Sequence, residues 1–318
     1  MGIIDGALDT TLLGYTRLGS TLRGIRIDEP FPEVAGREIM VTGATGGIGR
    51  AVTERLAANG AVVHAVGRSA EKLDRLVDEV DGTVIPYRAD LSSMYDVTRL
   101  ASDYRAAARP LHGLVNNVGV MPGERTVTDE GFELAYATNL LGQYILTEAL
   151  LSNLEASSPA RIVMVSSGGM YTEALTATNL MSDDGPYRPT AAYARTKRGQ
   201  VVLAEAWSDR LRGRGVVATS MHPGWADTDG VRASLPTFRR LTGPLLRSPA
   251  EAADTIVWLV ASDEAASIDG GFFHDRTARP THRSRTTHDD PELRRRFLDR
   301  LETDAQPYLS TTTPRRGD

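Results

Sequence analysis

Ile39-Met-Val-Thr-Gly-Ala-Thr-Gly-Gly-Ile-Gly49 decides how the rest of the chain is read. The stretch starts as an apolar strand and breaks at Thr42-Gly43. It then turns through Gly46, Gly47 and Gly49 into Arg50-Ala-Val-Thr-Glu-Arg-Leu-Ala-Ala58, a good helix sequence. Strand, glycine turn and helix in that order is the context a dinucleotide fingerprint requires. Gly43 allows the tight turn, Gly47 lets the backbone approach a pyrophosphate, and Gly49 lets the helix start close against the strand. The first-turn N–H groups then face the phosphates, where the helix dipole favours negative charge. Gly43, Thr45, Gly47, Ile48 and Gly49 are the candidate phosphate-binding set.

Outward from this turn, apolar strands alternate with amphipathic helices. Strands are expected at Met40-Val41, Ala61–Val66, Thr83–Arg88, Leu111–Val115, Arg161–Val165 and Val216–Met221, with Gly271–His274 as a last edge strand. Helices are expected near Ala70–Val80, over Asp96–Ala108, from about Asp129 to Glu155, and over Ala191–Arg212. The pattern predicts an α/β fold: a Rossmann-type, doubly wound parallel sheet of about seven strands with helices on both faces. Residues 1–36 read as an N-terminal arm, 37–275 as a single catalytic domain, and 276–318 as an extension with a short helix. Asp290-Pro291 is a helix start signal, and Leu293, Phe297 and Leu301 form the apolar stripe expected to dock that helix on the body.

In the arm, Ile4, Leu8, Leu12, Tyr15, Leu18, Leu22 and Ile25 recur at helical spacing, but Gly6, Gly14, Gly19 and Gly24 interrupt them. Broken helix packed on the body or on a second subunit of a homo-oligomer is the plain reading. The sharper one is peripheral membrane contact, with Arg17, Arg23 and Arg26 beside the apolar face.

The 318 residues are 41% hydrophobic and 24% charged, which suits a globular chain with a sizeable core. A net charge of -5 argues against nucleic acid as a partner. There is no cysteine, so disulfides and Cys-based metal sites are excluded, and no metal is expected. No apolar run reaches about 18 residues, and the N-terminus lacks a signal-peptide pattern, so a cytoplasmic location is expected.

The end of the second strand bears on the choice of dinucleotide. An acidic residue there would accept bonds from the adenosine ribose and repel a 2′-phosphate, but this chain has Gly67-Arg68. A guanidinium pairs a phosphate with two hydrogen bonds, so NADP(H) is favoured and NAD(H) is the alternative. Arg50 reads as a surface helix residue that could assist.

Further along, Tyr193-Ala-Arg-Thr-Lys197 places a phenol and an ammonium one turn apart on one helix face. A free tyrosine, with a pKa of about 10, is a poor acid–base group near neutrality, and a nearby cation favours its phenolate. Tyr193 could then protonate a carbonyl oxygen, or remove an alcohol proton in reverse, with Lys197 supplying the charge. His222 has no Ser-His-Asp or metal-ligand arrangement around it and reads as a core residue.

The spacing Thr-Gly-x-x-x-Gly-x-Gly, Asn116-Asn-Val-Gly119 after strand four, Val165-Ser166-Ser167 at the end of strand five, Tyr193-x-x-x-Lys197, and His222-Pro-Gly-Trp-Ala-Asp-Thr228 come in that order. Together they resemble the single-domain branch of the short-chain dehydrogenase/reductase family over about residues 36–275. The resemblance implies an oxidoreductase that exchanges a carbonyl and an alcohol, with a small to lipophilic aldehyde, ketone or alcohol as substrate. It implies Asn139, Ser167, Tyr193 and Lys197 as catalytic residues, with Ser166 the alternative to Ser167. It places Asp90 and Leu91 at the adenine end, and Asn117 and Gly119 along the adenosine pocket. Tyr193 and Lys197 then lie at the ribose, and Pro223, Gly224 and Thr228 at the nicotinamide. It also implies that the Asn139 carbonyl holds a water linking Lys197 to solvent. Ser167 and Tyr193 lie 26 residues apart, more than in many members, and the stretch Asn179–Pro186 reads as a lobe beside the site. The rival reading is a catalytically weak NADP(H)-binding sensor or scaffold.

Overall fold

Ile39, Met40 and Val41 are fully buried in β1 (Glu38–Thr42), the strand from which the sheet grows in both directions. In the computed structural model, which describes residues 12–24, 29–227 and 245–310, β1 pairs in parallel with β2 (Val62–Gly67) and with β4 (Gly113–Asn116). The sheet continues through β3 (Thr83–Arg88) on one side. On the other it runs through β5 (Ala160–Val165), β6 (Val216–Met221), β7 (Phe272–His274) and β8 (Thr277–Ala278), giving the order β3-β2-β1-β4-β5-β6-β7-β8. All pairings are parallel except β7 with β8. The seven expected strands are present, and the two-residue β8 is too short to leave a sequence pattern. The strand order reverses between β1 and β4, so the carboxyl ends of these strands open a crevice, where open α/β sheets bind ligands.

Alternate residues of each strand enter opposite cores. Ile39, Val41, Val115 and Val163 pack under α2 (Gly47–Ala58) and α7 (Pro249–Ala261). Met40, Leu114, Ile162 and Met164 pack under α4 (Met94–Ala106), α5 (Gly142–Ala156) and α6 (Pro189–Leu211). A sheet buried on both faces needs such unbroken apolar runs, and this is why they read as parallel strands. The helix α3 (Ala70–Glu79) follows β2, its N-terminus capped by the Ser69 side chain, which accepts from the Lys72 N–H.

The helix expected from about Asp129 starts later. Glu133 has extended backbone, and its carboxylate accepts from the N–H groups of Ala135 and Tyr136, so it ends the loop and caps the turn Leu134–Tyr136. A π-turn follows at Ala137–Leu141 and leads into α5.

The C-terminal helix α8 (Pro291–Leu309) starts where expected, with Asp290 accepting from the Leu293 N–H at 2.7 Å. Its Phe297 and Leu301 are fully buried in the core that α4, α5 and α6 share. A Cβ at Gly199 would lie 2.8 Å from the Phe297 ring, so glycine lets α8 approach α6 closely.

Of the arm, the described part is a single 3₁₀ turn at Leu12–Tyr15 and the short helix α1 (Arg17–Leu22). Thr16 and Ser20 are buried, while Leu18 and Leu22 are exposed. Arg23 donates to Asp275 at 2.7 Å in a buried pair, and Arg17 lies 3.3 Å from Glu251. Both lie against protein carboxylates, Arg23 buried and Arg17 largely exposed. Ile4, Leu8, Ile25 and Arg26 lie outside the described residues. Among the described residues, no helix is long and apolar enough to cross a membrane.

Candidate active site

The glycine turn has the shape of a phosphate cradle. Gly43 and Gly47 adopt positive φ, +68° and +52°, which side chains rarely tolerate. A Cβ at Gly49 would lie 2.2 Å from the Gly43 carbonyl oxygen. The N-cap of α2 is Gly46, which brings no capping side chain, and a Cβ there would meet nothing within 4 Å. The N–H end of α2 thus opens outward, as a bound pyrophosphate requires. Thr45 borders Gly67, and Ile48 packs partly buried on the core beneath α2. Thr42 Oγ1 accepts from the N–H groups of Asn117 and Val118 at 2.9 and 3.1 Å, and Asn117 Nδ2 donates to the Thr42 carbonyl at 2.9 Å. These bonds lace the two walls of the crevice together, so the fit to a dinucleotide is present in this chain's own residues.

At the end of β2, Arg68 is 70% exposed and lies 3.6 Å from Asp90. Asp90 also accepts from its own loop, from the Ser92 N–H and hydroxyl at 2.9 and 2.7 Å, while Leu91 is buried. A groove of about 150 Å³ beside the turn is lined by Thr45, Arg50, Lys72, Arg75 and Glu79. Arg50 is paired there with Glu54 and Glu79, at 2.7 and 2.8 Å.

Ser167 and Tyr193 meet beyond the end of β5. The Ser167 hydroxyl accepts from the Gly169 N–H at 3.2 Å and lies beside the Tyr193 hydroxyl, whose proton affinity it lowers. Ser166 points the other way, donating to the Lys197 carbonyl at 2.7 Å. Of the two serines, only Ser167 touches the phenol. Lys197 Nζ sits 5.4 Å from the centre of the Tyr193 ring, as one helical turn allows. It donates to the Val165 carbonyl at 2.9 Å and to Gln200 Oε1 at 3.0 Å. A Cβ on Gly119 would lie 3.1 Å from this nitrogen, which fixes glycine there.

Burial pulls the Lys197 ammonium down to about 7. Burial also pushes the Tyr193 hydroxyl above its ordinary value, with the Ser167 hydroxyl acting in the opposite sense. The sequence expectation, that Lys197 lowers the tyrosine, omits this shared desolvation. Burial penalises the phenolate and the ammonium alike.

Asn139 sits in the π-turn, fully buried. Its side chain accepts from the Val120 N–H at 2.8 Å and donates to the Val120 carbonyl at 2.9 Å and to Thr196 at 3.0 Å. Its own carbonyl, expected to hold a water, accepts from Gln200 Nε2 at 2.9 Å. Gln200 also donates to Gln143 Oε1 at 2.7 Å. Neither glutamine was singled out from the sequence. The available signal is spacing: Gln143 falls one turn after Asn139 and Gln200 one turn after Lys197, on faces that are otherwise apolar. A second signal is composition. Of 36 lysines and arginines only Lys72 and Lys197 are lysine, so a chain that otherwise uses arginine has the titratable amine at this position.

The loop after β6 carries Pro223 and Gly224. Gly224 has φ +77°, and a Cβ there would lie 2.8 Å from the Tyr15 carbonyl oxygen. Thr228 lies outside the described residues. His222 is buried and stacked on His274 at 3.9 Å, and its Nδ1 accepts from the Gly224 N–H. Burial first, then His274 and nearby arginines, hold it well below its ordinary range, in keeping with a core position.

Residues 37–237 match the family model described as short chain dehydrogenase. The chain belongs to the short-chain dehydrogenase/reductase family. It is 37% identical over 284 residues to human dehydrogenase/reductase SDR family member 12, covering 87% of this chain and 88% of that one. It is 35% identical to mouse polyprenol dehydrogenase, covering 88% of each. Among solved structures it resembles the Pseudomonas aeruginosa RhlG/NADP active-site complex, with 25% identity and a TM-score of 0.62 over 77% of this chain and 96% of that one. As a short-chain dehydrogenase/reductase it is an oxidoreductase of alcohol and carbonyl groups that uses an NAD(P) dinucleotide.

Proposed function

We propose that this protein is an NADP(H)-dependent oxidoreductase that interconverts a carbonyl and an alcohol on a lipophilic aldehyde, ketone or alcohol. Placement of the Ser167 hydroxyl beside the Tyr193 phenol, with Lys197 Nζ 5.4 Å from the phenol ring, carries the reading. It gathers a proton donor, an oxygen-binding hydroxyl and an amine at the carboxyl end of β5, beside the glycine cradle. The dinucleotide, when bound, supplies or accepts the hydride.

Gly43, Thr45, Gly47, Ile48 and Gly49 would hold the pyrophosphate at the N–H end of α2. Asp90, Leu91, Asn117 and Gly119 would line the adenosine side, and Pro223, Gly224 and Thr228 the nicotinamide side. Ser167 and Tyr193 hold the reacting oxygen. Tyr193 gives it a proton in reduction and takes one from the alcohol in oxidation. Lys197 holds the ribose hydroxyls and, when protonated, offsets part of the cost of the phenolate. Asn139 fixes the loop at Val120 against Thr196.

Arg68 supports NADP(H) over NAD(H). It stands where an acidic residue would oppose a 2′-phosphate, and an exposed pair such as Arg68–Asp90 is weak enough to yield to a phosphate. Lys72 and Arg75 add positive charge to the neighbouring groove, where Arg50 is paired with Glu54 and Glu79. The likeness to a polyprenol dehydrogenase supports a lipophilic substrate. In this reading residues 37–275 form the catalytic unit that the arm and the extension serve, and a cytoplasmic location fits a chain without cysteine.

The test is a screen of hydrophobic aldehydes, ketones and alcohols, following NADPH absorbance, with Tyr193→Phe alongside. Turnover by the wild type should fall by about 10³-fold or more in the variant, while NADPH binding stays within a few-fold. Equal turnover by the variant would refute the role of Tyr193. NADPH binding without turnover of any compound would favour the sensor.

A further inference from the structure

A chain of hydrogen bonds runs behind Lys197 to the loop that lines the dinucleotide crevice. Lys197 Nζ donates to Gln200 Oε1 at 3.0 Å. Gln200 Nε2 donates to Gln143 Oε1 at 2.7 Å and to the Asn139 carbonyl at 2.9 Å. Gln143 Nε2 donates to the Val118 carbonyl at 2.6 Å. Both glutamines are fully buried, so each amide atom needs a protein partner, and each has one.

The directions of these bonds are forced. The Val118 carbonyl can only accept, so Gln143 turns its amide nitrogen to it and its oxygen to Gln200. The Asn139 carbonyl and Gln143 Oε1 can only accept, so Gln200 turns its nitrogen to them and its oxygen to Lys197. An ammonium has three N–H donors. Val165 and Gln200 take two, which leaves one for the site.

We propose that Gln200, oriented by Gln143, is a positioning residue: its amide oxygen holds the Lys197 ammonium, and its amide nitrogen is anchored on the Asn139 carbonyl and on Gln143. The part played in turnover rests on the reading of Tyr193 and Lys197 as the reacting pair; the clamp on Lys197 does not. A side-chain amide holds the ammonium without passing its proton on.

The two lysines make this measurable without turnover. Isotope labelling of lysine side chains gives two resonances: Lys72, which is exposed, and Lys197. Gln200→Met keeps the length of the side chain and removes all three of its hydrogen bonds. The Lys197 midpoint should fall by about one pH unit, a tenfold loss of proton affinity, with Lys72 unmoved as the reference. The pH profile of alcohol oxidation should move its rising limb to the alkaline side by a similar amount, because a weaker cation leaves the phenol harder to ionise. Gln143→Met, which removes one of the two acceptors that orient the Gln200 amide, should shift Lys197 in the same direction by less, and it decides the matter if Gln200→Met does not fold. An unmoved Lys197 midpoint in the folded variant overturns the proposal whatever the activity. A moved midpoint in a protein that turns over no carbonyl or alcohol supports the clamp and sinks the functional reading alone.

Discussion

Replacing Lys197 by Met should change this protein's stability by an amount that moves steadily against the variant as the pH rises above about 7. Lys197 is 2% exposed, and burial lowers its ammonium from 10.5 to about 7. Below about pH 7 the folded and unfolded chains both carry the proton, and the folded one bears the whole desolvation penalty. Between about 7 and 10.5 the unfolded chain keeps a proton that the folded chain has released, so wild-type stability from this group rises with pH. At about 1.4 kcal/mol per pH unit, the fall from 10.5 to about 7 sets a ceiling of about 5 kcal/mol. The variant also strands the Val165 carbonyl and Gln200 Oε1, but that loss is the same at every pH and drops out of the slope. Urea unfolding of both proteins at about pH 6, 7.5 and 9 measures the gap. It should be flat below about pH 7 and then move against the variant by about 1.4 kcal/mol per pH unit. Parallel stability curves would show that Lys197 keeps its ordinary proton affinity in the fold, and the account of its desolvation would fail.

Gly49→Ala puts a Cβ 2.2 Å from the Gly43 carbonyl, where no side chain can give way. It should weaken NADPH binding by about tenfold or more, in calorimetry, and lower the melting temperature; unchanged values would remove the close-approach argument. Arg68→Ala should raise the KM for NADPH by about tenfold and leave that for NADH within about twofold. Equal effects on the two cofactors would contradict the phosphate assignment. Phe297→Ala empties a fully buried site over Gly199 and Leu140, and should cost about 3–5 kcal/mol in urea unfolding. A loss under about 1 kcal/mol would mean that α8 is not part of the core.

The strands were readable because burial on both faces demands unbroken apolar runs, and the glycine turn was readable because its constraints are local. The helix start near Asp129 was misplaced because acidic residues before an apolar run look like a first turn. Here those acids serve other partners. Glu130 accepts from the Ser93 hydroxyl and the Met94 N–H at 3.0 Å each, at the start of α4, and Glu133 caps its own turn. The choice between Ser166 and Ser167 had no sequence basis beyond family resemblance. The fold separates them, since β5 sends successive side chains to opposite sides, one toward the Lys197 carbonyl and one toward Tyr193. Gln143 and Gln200 sit at readable spacings, but only the packing of α5 against α6 shows that they meet.

The family match ends at residue 237, yet the loop after β6 is held from outside that range. The Trp225 N–H donates to the Tyr15 carbonyl at 2.8 Å, and the Arg247 N–H donates to the Trp225 carbonyl at 2.7 Å. The Arg247 guanidinium lies behind Gly224 and donates to Asp275 at 2.8 Å, and Arg23 of the arm donates to the same carboxylate at 2.7 Å. Burial opposes the charge on Asp275, but His274, Arg247 and Arg23 outweigh it and hold its carboxyl below the usual range. One buried carboxylate thus joins the arm, the last strands and the loop on the nicotinamide side. Its partners are far apart in the chain, and each taken alone reads as a surface arginine. The dinucleotide half of the site was visible in one local stretch because a tight turn needs glycines in sequence. The other half was not, because a shared ion pair leaves no spacing to read.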